Sequence, residues 1–358
     1  MTNKKNVGFL SYWGVGSGLA NVTLNYVKMI HEEYNVFILK QFTNPITEDF
    51  KNVNVTVTEY PNYNVNGTFF KNWILENKLD VIILNEYDQW STSPDDLIKI
   101  AKELNCKVYG ILVMEKFKPE QASRYDRVLV ETVSFERLMR HHRVRNFTHV
   151  PYSIDLKEFP KNTLKTLNKK FKFFHPSGRG GVHKRKNTQV VLDAFKLLDR
   201  DDCELIITSQ VPFDCYNTKE INNLTIIDKN LDRKELIKLY QTSDATVLPS
   251  KWETIGIPIL ESLACSTPVI TTDAAPMNEF VRHCMNGYLC KPTMVKYPEI
   301  SIYAAEIEPV ELKNKMIMML NKELYKLLVK NSRYVIDQIY DLEKNKHCLL
   351  DFLNGDLK

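Results

Sequence analysis

The chain lacks several features that would place it quickly in a class. It has no run of about 18 apolar residues, so no membrane-spanning helix is expected. Its opening stretch, MTNKKNVGFLSYWG, turns polar too soon for a signal peptide. Seven cysteines are an odd number, and none forms a C-x-x-C pair. Reduced thiols and a cytoplasmic location are therefore expected. Eight histidines are scattered, with no H-E-x-x-H and no Cys/His cluster of metal-binding spacing. Asp199 and Asp201 fall in a polar turn after a helix and are not read as a metal motif. A large charge of one sign is missing too. The net charge is +4, which does not call for nucleic acid and suits an anionic substrate.

What is present points to two domains. A length of 358 residues exceeds the usual single domain, and 44% hydrophobic content gives each half a core. Strand patterns at Asn6 to Tyr12, Asn35 to Lys40, Val53 to Thr58, Asp80 to Asn85, Lys107 to Met114 and Asp126 to Glu131 alternate with helical ones. That alternation predicts a doubly wound parallel sheet. A turn containing Gly14, Gly16 and Gly18 joins the first strand to a helix. Glycine there lets a phosphate or sugar approach the backbone. The spacing is G-x-G-x-G, and no acidic residue closes a second strand about twenty residues on, which disfavours a dinucleotide site. Glu86 and Glu115 end two strands, where such sheets bind ligands. Arg137, Arg140, His141, His142 and Arg143 make a basic helix, read as a solvated face.

The second half repeats the plan. A strand, Phe171 to Phe174, runs into the turn HPSGRGGVHKRKN and an amphipathic helix, Thr188 to Leu198. Glycines and basic residues ahead of a helix N-terminus make an anion site. Lys184 and Arg185 are assigned to solvent. Farther on comes PSKWETIGIPILESLACSTPVI, residues 249–270, with Glu253 and Glu261 eight positions apart. A strand, a loop carrying Glu253, and a helix starting near Gly256 or Ile257 are predicted. Pro258 suits the first helical turn.

This segment resembles the E-x7-E region of retaining GT-B glycosyltransferases of the family 4 type (glycosyl transferases group 1), at Pro249, Ser250, Glu253, Gly256, Pro258, Glu261, Ala264 and Pro268. Ser266 and Asn187 stand where the family usually has glycine. The stretch Val150 to Asp155 resembles the family's interdomain linker. The resemblance implies an α/β fold of two Rossmann-like domains facing across a cleft: 1–158 on the acceptor side and 159–334 holding the donor, with a C-terminal helix of about 335–358 packing back on the first. It implies a nucleotide-diphosphate sugar, UDP- or GDP-linked, as donor. The acceptor would be a carbohydrate, lipid-linked or protein hydroxyl, and peripheral membrane contact is allowed. Arg179 and Lys186 would face the donor diphosphate, Glu253 the transferred sugar and Glu261 the ribose. Glu115 is a further catalytic candidate. Gly16, Gly18, Gly178, Thr254, Ile255, Gly256 and Ile257 would line the donor. No cofactor, metal or nucleic acid is expected. The rival readings are a non-catalytic nucleotide-sugar-binding protein and a nicotinamide-dependent dehydrogenase.

Overall fold

The computed structural model of the chain describes residues 4–14, 18–42, 45–46, 48–87, 94–160, 167–178, 185–214 and 216–355. The chain forms two units. One contains Met1–Ser153 and Leu342–Lys358, the other Ile154–Asp341. The crossings thus fall before 158 and after 334. Within the second unit the Ile154 N–H donates to the Tyr340 carbonyl at 2.7 Å, and Ile154 bridges Asp341. That pairing keeps residues 154–158 and the end of the helix Lys322–Ile339 with the second unit.

The first unit is built on seven strands: β1 (Asn6–Tyr12), β2 (Asn35–Gln41), β3 (Val55–Tyr60), β4 (Val81–Asn85), β5 (Lys107–Ile111), β6 (Arg127–Val130) and β7 (Phe147–His149). Their order is β3-β2-β1-β4-β5-β6-β7, and every pairing is parallel. Strand β4 is buried along its whole length, as a continuous apolar run in a parallel sheet should be. Strand β5 stops at Ile111, short of the predicted Met114, because Met114–Lys116 coils into a 3-10 turn. The helix Gly67–Glu76 was not foreseen. Its cap is Asn66, whose side chain accepts from the Thr68 and Phe69 N–H groups, and Asn66 sits in a polar run that reads as loop. The C-terminal helix Leu342–Asn354 packs on the helix Gly18–Ile30.

The second unit carries β8 (Phe171–Gly178), β9 (Cys203–Ser209), β10 (Leu224–Ile227), β11 (Ala245–Leu248), β12 (Val269–Thr272) and β13 (Gly287–Cys290). The order is β10-β9-β8-β11-β12-β13, again all parallel. A separate antiparallel hairpin, β14 (Thr293–Lys296) and β15 (Tyr303–Glu306), follows. Strand β8 outruns its predicted end at Phe174, since its ladder with β9 continues past an irregularity to Gly178. Phe173, Leu205, Ile207, Val247 and Ile270 of the sheet pack with Val191, Leu192 and Phe195 of the helix Thr188–Leu198. Each such side chain contributes roughly 1.5–3 kcal/mol of burial energy. In both sheets the strand order reverses once, between β1 and β4 and between β8 and β11. Sheets of this kind bind ligands beyond the carboxyl ends of the strands flanking that point.

Candidate functional site

At the reversal point of the second unit two loops meet. One leaves β11. Its backbone is fixed from the neighbouring strand, where the Thr271 and Thr272 hydroxyls each donate at 2.7 Å, to the carbonyls of Leu248 and Ser250. Gly256 then turns the chain into the helix Ile257–Ala264, with Pro258 in its first turn. Its φ is 94°, and a Cβ at this position would fall 3.3 Å from Ile259 Cδ1, so the turn calls for glycine. The other loop leaves β8 at Gly178, where φ is 54°. Arg179 and Lys184 lie outside the described residues, as does Gly16 of the first unit. The chain resumes at Arg185, Lys186 and Asn187. Asn187 adopts a left-handed φ of 57°, and its amide donates to the Pro249 carbonyl at 3.0 Å. The Lys251 N–H donates to the Arg185 carbonyl at 2.8 Å. The two loops are thereby tied backbone to backbone.

Those ties bring Lys186, Arg185 and Glu253 together. Lys186 Nζ donates to one Glu253 oxygen and Arg185 to the other. Ser250 Oγ adds a bond at 2.7 Å, and Arg185 also reaches the Trp252 carbonyl at 3.2 Å. Glu253 and Lys186 are 4% and 6% exposed, so this is a buried ion cluster. Burial alone would raise the Glu253 carboxyl. Arg185 and Lys186 outweigh it and hold the group down at about 2. Burial draws the Lys186 ammonium down to about 8, with Glu253 opposing. The sequence reading sent Arg185 to solvent. The structure corrects this, because the Arg185–Lys251 backbone bond turns the arginine side chain toward Glu253.

Beneath the cluster His175 fixes the start of the helix Thr188–Leu198. Its Nδ1 lies 2.8 Å from the Val247 carbonyl, which can only accept. The proton is thus on Nδ1, and Nε2 accepts from the Thr188 hydroxyl at 2.9 Å. Ser177 completes the chain at 3.0 Å from Thr188. Burial pushes the His175 imidazole down to about 4, in keeping with a neutral ring.

Glu261 is 3% exposed and points to a second cation. Arg233 donates to it and, at 3.2 Å, to Glu158, while its guanidinium lies 5.0 Å from the Phe159 ring centre. Arg233 went unpredicted. It opens the helix Arg233–Thr242 inside a capping box of Asp232 and Glu235, a signal that marks the helix start and says nothing of a partner for Arg233.

Among the predicted residues, Lys186, Glu253, Thr254, Ile255, Gly256, Ile257 and Glu261 fall on these two loops or the helix that follows, and Gly178 ends β8. Glu115 and Gly18 belong to the first unit. Glu115 is buried in the 3-10 turn after β5, and Gly18 opens its helix in a position where a Cβ would meet nothing. Among the described residues no group of three His, Cys, Asp or Glu is placed to hold a metal, and no helix is long and apolar enough to cross a membrane.

Residues 165–320 match the family model described as glycosyl transferases group 1. The chain is 32% identical over 112 residues to N-acetyl-alpha-D-glucosaminyl L-malate synthase of Bacillus anthracis, covering 30% of this chain and 29% of that one. It spans less than a third of the length of the curated relatives it first matches. Among solved structures it is similar to a glycosyltransferase from Rickettsia africae ESF-5, with a TM-score of 0.78 at 15% identity over 99% of each chain. It is also similar to Anabaena HepE in complex with UDP and glucose, with a TM-score of 0.73 at 15% identity over 98% of this chain and 100% of that one. The fold is thus α/β of the GT-B class, with two parallel-sheet Rossmann-like units.

Proposed function

We propose that the chain moves a sugar from a nucleoside-diphosphate sugar to a hydroxyl acceptor. The observation that carries this reading is the buried Lys186–Glu253–Arg185 cluster at the strand reversal of the second unit. An entering diphosphate offers Lys186 and Arg185 a partner with more charge than one carboxylate. Glu253, still held by Ser250, would then accept hydrogen bonds from the hydroxyls of the transferred sugar. As the glycosidic bond breaks, charge grows on the leaving diphosphate. The two cations, Arg179 and the backbone N–H groups at the helix start, Gly256 and Ile257, would stabilise that charge. Glu261, paired with Arg233, would receive the ribose hydroxyls. Independence from metal belongs to the same proposal, since protein cations supply the charge a metal otherwise would, and retention of configuration is proposed on the resemblance alone.

A thermal-shift comparison of UDP, GDP, ADP and dTDP with their monophosphates tests the diphosphate assignment. One diphosphate should raise the melting temperature well above its monophosphate. Equal shifts for the two would remove the ground for it. Transfer should survive EDTA, and loss on chelation restored by manganese or magnesium would contradict metal independence.

A further inference from the structure

Arg233 lies outside the motifs, and nothing in its own helix accounts for it. Asp232 and Glu235 already set the start of the helix Arg233–Thr242. A cation in the first turn opposes the helix dipole, so the helix itself gains nothing from an arginine there. The guanidinium serves partners outside the helix instead. It donates to Glu261 and to Glu158 and lies over the Phe159 ring.

The surroundings of this arginine are tied together. Arg333 donates to the Phe159 carbonyl at 2.5 Å and to the Ala264 carbonyl at 2.6 Å, and Asp337 holds Arg333 at 2.6 Å. Ala264 ends the helix Ile257–Ala264, which carries Glu261. The ring beneath Arg233 and the helix of Glu261 are thus fixed to each other through one buried side chain. Tyr240, seven residues after Arg233 on the same helical face, also borders Glu261. Burial and the neighbouring Glu261 charge hold its phenol protonated. Charge is divided between the two clusters. Glu158 and Glu261 share one guanidinium, whereas Glu253 is shared by two cations. The excess of carboxylate suits hydroxyl donors, and the excess of cation suits phosphate.

We propose that Arg233 is a positioning residue for the ribose of the donor. It holds the Glu261 carboxylate where the 2′- and 3′-hydroxyls donate, and the preference of the site for ribonucleotides over 2′-deoxyribonucleotides depends on it. This assignment rests on the reading above in which Glu261 receives the ribose, and it adds a residue from outside the motif. A carboxylate has about four acceptor positions, so the Arg233 bond leaves room for two hydroxyls. A carboxylate only 3% exposed needs a cation beside it, since a buried charge without a partner neutralises or turns away.

Isothermal titration calorimetry on the full chain, with UDP, GDP and ADP each against its 2′-deoxy form, tests it. Wild type should bind the ribo form of at least one pair about tenfold or more tightly, as loss of one hydrogen bond to a charged acceptor requires. Glu261→Gln and Arg233→Met should each bring that ratio close to one. Lys234→Met, at the exposed neighbouring position, should keep it. A general loosening of the fold weakens both nucleotides alike and leaves the ratio unmoved. Should Arg233→Met fail to fold, Arg233→Lys is read instead. Lysine keeps the charge but loses the fork that joins Glu261 to Glu158, and the ratio should fall part of the way. An undiminished ratio in the folded variant, with the ribo form bound more weakly or more tightly than by wild type, would overturn the proposal. A ratio lost in Glu261→Gln but kept in Arg233→Met sinks the role of Arg233 alone. Nucleotide binding with no ribose preference in wild type sinks the ribose assignment of Glu261 and Arg233 with it, and leaves the diphosphate reading standing. No binding of any of the six nucleotides sinks both.

Discussion

Glu131 and Glu253 are two buried carboxylates with opposite fates. Glu131 follows β6 in the first unit and accepts a hydrogen bond from the Tyr26 hydroxyl. Burial raises its pKa from an ordinary 4.5 to about 7, with the Tyr26 bond opposing only in part. Below pH 4.5 both folded and unfolded chains hold the proton, so nothing is lost. As pH rises from 4.5 to about 7 the unfolded chain ionises first, and stability falls. Glu131→Gln keeps the acceptor for Tyr26 and removes the titration. It should stabilise the protein by roughly 2–3 kcal/mol at pH 8 and by little at pH 4, in urea unfolding. A gain of the same size at both pH values would contradict the assignment. Burial acts on Glu253 in the same direction, but two cations reverse the outcome. The motif singled out Glu253 in the sequence, and the structure places it in the buried cluster. No such sign marks Glu131, or Arg185 and Arg233, because burial and pairing depend on residues far along the chain.

Elements were more legible than pairings where local pattern and backbone agree. The helix Thr188–Leu198 and strand β1 stand where periodicity put them. Both departures from the resemblance are also explained by backbone. Asn187 and Ser266 have φ of 57° and 59°, the left-handed region that glycine would fill, and asparagine is among the residues that tolerate it. The hairpin β14–β15 was not foreseen, because its strands are short and their partner is each other. It braces the Glu253 loop: the Ala305 N–H donates to the Lys251 carbonyl at 2.8 Å, and Glu306 accepts from Lys251 at 2.6 Å and from the Tyr297 hydroxyl. Trp252 lies against Tyr297, with ring centres 6.1 Å apart. Glu306→Ala should therefore lower stability by about 1–3 kcal/mol and reduce donor turnover, although it is outside the Lys186–Arg185–Glu253 cluster. Unchanged turnover in a destabilised variant would show that the hairpin does not position the loop.

At the scale of the whole molecule, paired charge is concentrated at the strand reversal of the second unit. There the second unit holds Lys186, Arg185 and Glu253 in one buried cluster. The central claim is that Lys186 serves a diphosphate that gains charge in the reaction. The direct measurement is release of nucleoside diphosphate from a panel of UDP- and GDP-sugars by wild type and Lys186→Met, with folding checked by melting. Lys234→Met, on an exposed position of the Arg233–Thr242 helix, is the control. The variant at 186 keeps the apolar stem and loses the charge. Its turnover should fall on the order of 10²–10³-fold, with nucleotide affinity reduced less, because the ammonium helps the transition state more than the ground state. A folded Lys186→Met protein that turns over near the wild-type rate, or a fall matched by Lys234→Met, would contradict the account.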